Sequence, residues 1–172
     1  MMHKYLGFFF PNSKVKYIYE FGGGYGNFCR LTYNFGYSGS YTIVDHPEIQ
    51  YIQKHFLEHV YPEKVSNKQI EFLEFSESKI LSRGRKHSLF IATFSLNETP
   101  LNLRNEVEIM LKDFDYIFLA FNSSWGGINN VEYFEGFRDR LANQFDFKLV
   151  KDYYRKAWFL IGQRHKISVG NN

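Results

Sequence analysis

The residue types that could do chemistry fall in four short stretches. The first, Glu20-Phe21-Gly22-Gly23-Gly24-Tyr25-Gly26-Asn27, puts four glycines behind an acid. Glycine lets a backbone turn at positive φ and pass close to a ligand, and a helix opening there aims its free N–H groups at that ligand. The second, Val44-Asp45-His46-Pro47-Glu48, carries a carboxylate 19 positions after Gly26. An acid at that remove, ending the next strand, is placed to accept both hydroxyls of a ribose. It could also cap the helix that Pro47 opens, and His46 beside it is a pocket-wall residue. The third stretch, Phe94-Ser95-Leu96-Asn97-Glu98-Thr99-Pro100, packs polar side chains directly after an apolar run. Glu98 is the first candidate there to take a proton from a reacting group, although an acid early in a helix also suits the helix dipole. The fourth, Phe121-Asn122-Ser123-Ser124-Trp125-Gly126-Gly127, sets an indole beside two glycines, which suits stacking on a ring or a closing lid.

Other chemistries fit poorly. The dinucleotide fingerprint anchored on Gly22 and Gly24 needs a small third residue where Asn27 stands, and a phosphate-binding P-loop needs a lysine the loop lacks. His55 and His59 share a helix face but have no third ligand and no H-E-x-x-H frame, so they read as surface residues and no metal is expected. A lone Cys29 excludes a disulfide scaffold and fits a reducing compartment. The net charge is only +3, and the one dense basic run is Arg83-Gly84-Arg85-Lys86. Nucleic acid is therefore not the expected partner, because its binders cluster their charge. No apolar run reaches the roughly 20 residues of a membrane span, and the first residues lack a signal-peptide cleavage site. The expectation is a cytoplasmic protein with no membrane contact.

These stretches must be held by an alternating framework. Candidate strands are Lys16–Phe21, Tyr41–Asp45, Ile70–Phe75, Ser88–Phe94, Tyr116–Phe121, Phe145–Lys151 and Lys156–Gly162. Helix-length segments are Gly26–Tyr37, Pro47–Tyr61, Leu101–Leu111 and Val131–Asn143. The alternation predicts an α/β, Rossmann-like, doubly wound and mostly parallel seven-stranded sheet. The last two strands have only a short link between them, which makes a C-terminal antiparallel hairpin. No linker or repeat divides the chain, so a single domain is expected over 16–165, with a short segment at 1–15 and a tail at 166–172.

An acid followed by G-x-G-x-G at Gly22, Gly24 and Gly26 resembles motif one of the class I S-adenosylmethionine-dependent methyltransferases, which share the terminal hairpin. The resemblance implies S-adenosyl-L-methionine as cofactor. Glu20 would help anchor its methionine end, with Gly22, Gly23, Gly24, Tyr25 and Gly26 passing beneath it, and Asp45 and His46 would lie at the ribose. The loop Leu73-Glu74-Phe75-Ser76 falls where the family contacts adenine, through Phe75 stacking and Glu74 or Ser76 on the edge. Ser95 would border the cofactor, Asn97 and Trp125 the acceptor, and Glu98 would be the catalytic base.

The G-G-G-Y-G loop, the D-x-P-E element at Asp45-His46-Pro47-Glu48 and the Ser/Glu-bearing loop together look like the sugar O-methyltransferases. That resemblance implies methyl transfer to a hydroxyl of a sugar or a glycan-related small molecule. Its competitors are a non-catalytic binding subunit and an RNA methyltransferase. The absence of a (D/N/S)-P-P-(Y/F/W) motif argues against methylation of base amines. A chain of 172 residues holds little besides the core of such a fold. The substrate pocket would then be completed by a partner chain or a second copy, or the acceptor is large and bound openly, or the chain is a truncated piece.

Overall fold

The computed structural model describes residues 15–77, 86–154 and 156–165. The elements follow the period of the sequence. Strands β1 (Tyr17–Phe21), β2 (Ser40–Val44), β3 (Ile70–Leu73), β4 (Ser88–Thr93) and β5 (Tyr116–Asn122) are short runs rich in aromatic and β-branched residues. Between them come α1 (Asn27–Asn34), α2 (Pro47–Val60), α3 (Pro62–Ser66), a single 3₁₀ turn at Leu96–Glu98, and α4 (Leu101–Leu111). A two-residue ribbon, β6 (Ser124–Trp125) with β7 (Ile128–Asn129), leads into α5 (Asn130–Leu141). The hairpin β8 (Phe145–Asp152) and β9 (Ala157–Arg164) closes the fold.

The main sheet has seven strands in the order β3-β2-β1-β4-β5-β9-β8. The first five strands pair in parallel, and β9 runs antiparallel to both β5 and β8. The strand order reverses beside β1, because β1 pairs with β2 on one side and β4 on the other. In such sheets the crevice beyond the carboxyl ends at the reversal is where ligands bind.

Alternation of side chains divides the core into two layers. Ile18, Ile43, Leu89, Ile91 and Phe118 pack with Cys29, Tyr33 and Leu57 under α1 and α2. Tyr19, Val44, Phe90, Ile117 and Leu119 face the other way, against Val107, Leu111, Phe134 and Phe137 of α4 and α5. Both faces are covered, so the parallel strands read as nearly unbroken apolar runs. Many of the abundant aromatics are core filling: Phe90, Phe118, Phe121, Phe134 and Phe159 are each no more than 1% exposed.

The structure shortens some expected elements and adds others. The first helix ends at Asn34 rather than Tyr37, because Gly36 at φ 88 turns the chain out. Asp45 does not cap α2: the cap position is His46, with no side-chain cap bond, and Asp45 Oδ1 instead accepts from the His46 N–H at 2.9 Å. The glycines after Trp125 make a defined turn, at φ 55 and 80, closing the β6–β7 ribbon. No helix among the described residues is long and apolar enough to cross a membrane.

Candidate functional site

The carboxyl ends of β1 to β4 surround a cavity of about 310 Å³, the lower end of the range for small-molecule sites. Phe21 and Gly22 line it from β1, Val44 to Pro47 from β2, Glu74 to Ser76 from β3, and Ser95, Thr99 and Leu103 from the β4 side. Of the sequence candidates, Gly22, Asp45, His46, Phe75 and Ser95 therefore converge on one space. So do Glu74 and Ser76, the alternatives at the adenine edge. Phe75 meets Phe21 edge to face at 5.9 Å.

Gly22 shows why its position needs glycine. Its φ is 70, and a Cβ there would stand 2.3 Å from Ser95 Cβ. The loop after β1 is thus pressed against the loop after β4, and the Ser95 hydroxyl donates to the Phe21 carbonyl. The Gly22 N–H donates to the Val44 carbonyl at 2.8 Å. At the far end of the loop, Gly26 takes φ 93 and lets Leu57 of α2 approach to 2.9 Å of where a Cβ would be. No side chain caps α1, and its first turn carries no acid, which leaves its positive end free for an anionic group.

Asp45 is oriented by a residue that sequence reasoning passed over. Gln53, fully buried on α2, donates from Nε2 to Asp45 Oδ2 at 2.8 Å and to the Gly24 carbonyl at 2.8 Å. One amide thus joins the glycine loop to the carboxylate in the cavity. The only signal was a glutamine four residues before Leu57 on the same buried stripe.

Glu20 does not line the cavity. It points to the opposite face of β1 from Phe21, beneath the glycine loop, where it is completely buried. Its Oε2 accepts from the Tyr41 hydroxyl at 2.8 Å, and Oε1 has no hydrogen-bond partner. Burial pushes the Glu20 carboxyl up to about 7, opposed by the Tyr41 bond and reinforced by Asp45. The folded chain therefore keeps a proton that the unfolded chain releases at the usual carboxylate pH. Folding stability should fall as pH rises from about 4.5 to about 7 and level off beyond it. Urea unfolding across that range should show this decline in the native chain and its loss in Glu20→Gln. An equal decline in both would refute it.

The remaining candidates stand outside the cavity. Gly23 and Gly24 lie in the loop behind Gly22. Tyr25 is half exposed and rests edge to face on Phe56 at 5.3 Å. Glu98 is exposed at the end of the 3₁₀ turn, next to Thr99 of the lining. Trp125 is exposed on the β6–β7 ribbon. Asn97 is buried, and neither atom of its side-chain amide has a partner.

A second unforeseen residue holds this region. Arg104 of α4 is fully buried and donates to the Asn97 carbonyl at 2.5 Å, the Thr99 carbonyl at 2.9 Å and Asn130 Oδ1 at 2.8 Å. Its guanidinium also stacks over Tyr133 at 4.9 Å. The fork of donors fixes the loop after β4 to the start of α5. Arg104→Met, which keeps the stem but strands three acceptors, should cost about 2–3 kcal/mol in urea unfolding. An unchanged midpoint would contradict this role. Among the described residues, no group of three His, Cys, Asp or Glu could hold a metal ion, and His55 and His59 are exposed.

Comparison with solved structures places this fold in a known class. The methyltransferase domain of bacterial CtHen1 superposes with a TM-score of 0.66 at 12% identity, covering 87% of this chain and 90% of that one. A SAM-dependent methyltransferase from Aquifex aeolicus gives 0.65 at 15% identity, over 95% of this chain and 89% of that one. An O-methyltransferase family protein from Burkholderia thailandensis gives 0.64 at 11% identity, over 90% of this chain but 52% of its own length. The chain has the class I methyltransferase fold. No protein-family model matches the sequence, and no curated protein matches it either.

Proposed function

We propose that this chain binds S-adenosyl-L-methionine in the cavity at the strand reversal and transfers its methyl group to a hydroxyl, that of a sugar or glycan-related molecule. The observation that carries the reading is the joint placement of Gly22 and Asp45. One offers a surface without a side chain and the other a carboxylate already oriented by Gln53, on two sides of one cavity. The residues present fit the cofactor. Asp45 would accept from the ribose hydroxyls, Phe75 with Glu74 and Ser76 would receive adenine, and the uncapped start of α1 would favour the methionine carboxylate.

Bound there, the sulfonium supplies an activated methyl and a neutral thioether leaving group. The chain's part is alignment. The loop from Ser95 to Thr99, fixed by Arg104, would hold and orient the acceptor, and orientation alone can supply about 7–11 kcal/mol. Glu98 would take the hydroxyl proton of the acceptor.

The cofactor half of this reading is tested by Asp45→Ala. Losing two hydrogen bonds to a carboxylate, at roughly 1.5–3 kcal/mol each, should weaken S-adenosylhomocysteine about a hundredfold or more by calorimetry. Unchanged affinity would remove Asp45 from the site. The acceptor half is tested by incubating the chain with radiolabelled S-adenosylmethionine and a panel of sugars, in which label in an alkali-stable ether supports O-methylation and label in no sugar counts against it.

A further inference from the structure

The loop after β4 conceals polar groups that the fold itself does not use. Asn97 is 1% exposed and Asn130 is fully buried. Among the described residues, the Asn97 side chain bonds to nothing through either Oδ1 or Nδ2, and Asn130 Nδ2 is equally without a partner. One guanidinium holds both residues in place: Arg104 donates to the Asn97 backbone carbonyl at 2.5 Å and to Asn130 Oδ1 at 2.8 Å. The two residues are therefore neighbours around Arg104, with three amide atoms left over. Buried polar groups are nearly always paired, because an unpaired one forfeits the hydrogen bond it had in water. Three such atoms in one place need a reason outside the fold.

The β6–β7 ribbon beside them is thinly attached. The 3₁₀ turn that carries Asn97 packs against β6, and both ribbon strands pack against α5, which Asn130 opens. Yet residues 122–127 are all exposed, Ile128 is only partly buried and Asn129 is exposed. No residue of the ribbon belongs to either layer of the core. The Asn130 N–H donates to the Ser123 carbonyl at 2.9 Å and closes the base, while Gly126 and Gly127 turn the tip. The residues on either side, Phe121 and Asn130, are fully buried. An element with so little buried surface between two firm anchors opens at small cost.

We propose that the ribbon covers a binding subsite beside the cavity, where the Asn97 and Asn130 amides receive two neighbouring hydroxyls of an uncharged acceptor once the ribbon lifts. The inference rests on the proposed methyl transfer to a sugar and names the groups that recognise that sugar. The free atoms select the ligand. Asn97 Oδ1 accepts, while Asn97 Nδ2 and Asn130 Nδ2 donate. A hydroxyl does both, so one O–H donates to Oδ1 and the next oxygen along accepts from an amide nitrogen. A carboxylate would set its lone pairs against Oδ1, and an ammonium would set its protons against the two nitrogens. The position along the chain fits as well. Asn97 stands between Ser95 and Thr99, which line the cavity, and beside Glu98. A sugar held there by two hydroxyls brings the rest of its ring to the loop that carries the proposed base.

The test titrates the full chain in a calorimeter, with and without saturating S-adenosylhomocysteine. The probes are methyl glycosides of neutral hexoses, their singly deoxygenated counterparts and the matching uronic acids. At least one neutral glycoside should bind, and removing one of two adjacent hydroxyls should weaken it tenfold or more. Hydrogen exchange across 123–130 should change when it binds. Asn97→Leu should weaken that glycoside tenfold or more and hold S-adenosylhomocysteine within twofold. It should also unfold in urea at a midpoint no lower than native, because an apolar group of similar size replaces an amide that the fold leaves unpaired. Asn130→Asp, which keeps the oxygen that Arg104 holds and removes the donor, should weaken the glycoside as well. A lower midpoint in Asn97→Leu would mean that the amide serves the fold, and would overturn the inference. So would native glycoside affinity in either variant, unaltered exchange in the ribbon, preference for a uronic acid, or binding of S-adenosylhomocysteine without any glycoside. Glycoside binding that meets these expectations in a chain that does not bind S-adenosylhomocysteine would instead remove the proposed function and leave a sugar-binding subsite.

Discussion

Gly22→Ala should weaken S-adenosylhomocysteine binding about a hundredfold or more while leaving a cooperatively folded protein. The residue sits at φ 70, where any side chain adds strain of roughly 1–2 kcal/mol. The larger cost is displacement, since the new methyl would stand 2.3 Å from Ser95 Cβ and 2.9 Å from its hydroxyl. Ser95 must retreat, and with it the bond it makes to the Phe21 carbonyl. Two walls of the cavity then move apart, and displacements of about 1 Å in such sites can cost a hundredfold. Adding Ser95→Gly to Gly22→Ala removes the atoms that the methyl meets, so the double variant should recover part of the affinity. Calorimetric titration of the three proteins decides the matter. Native affinity in Gly22→Ala would mean that this loop does not touch the ligand, and absence of any recovery would mean that the contact with Ser95 is not the cause.

Glu98→Gln should reduce turnover by roughly 10²–10⁴-fold, the range a positioned base supplies, with S-adenosylhomocysteine affinity held within twofold. The residue ends the 3₁₀ turn whose neighbours are firmly set. Leu96 is buried, the Asn97 and Thr99 carbonyls are held by Arg104, and the Glu98 N–H donates to the Ser95 carbonyl at 3.0 Å. An exposed carboxylate on so fixed a turn, one residue from the cavity wall, is well placed to receive a proton and release it to water. Glutamine keeps the shape and removes the basicity. Single-turnover rates with the acceptor found in the sugar panel would measure the effect, and a rate within threefold of native would take the proton transfer away from Glu98.

The parts of this protein that were legible in its sequence are those set by local chemistry. The seven main strands announce themselves as short apolar runs, and the hairpin follows from the lack of a helix between β8 and β9. Gly22, Asp45, His46, Phe75 and Ser95 meet in the cavity because strand ends in a doubly wound sheet are brought together by topology alone. What sequence reading missed depends on contacts between distant segments. Gln53 reaches Asp45 and Gly24 across the space between α2 and two loops, and Arg104 joins α4 to Asn97, Thr99 and Asn130. Their spacing puts each on the buried stripe of its helix, but nothing in it names the distant groups they reach. Glu20 illustrates the same limit at a single position: the pattern marked it as important, but its burial under the loop with Tyr41 arises from the pleat of β1 and the register with β2.

The central claim is that the glycine loop and Asp45 form a binding site for S-adenosylmethionine, and titration of the native chain with S-adenosylhomocysteine in a calorimeter tests it most directly. The expected isotherm is saturable with one ligand per chain, and it weakens about a hundredfold or more in Gly22→Ala and in Asp45→Ala. A protein that unfolds cooperatively on heating, and is therefore folded, yet gives no binding heat and no shift in its thermal midpoint at saturating ligand, would contradict it.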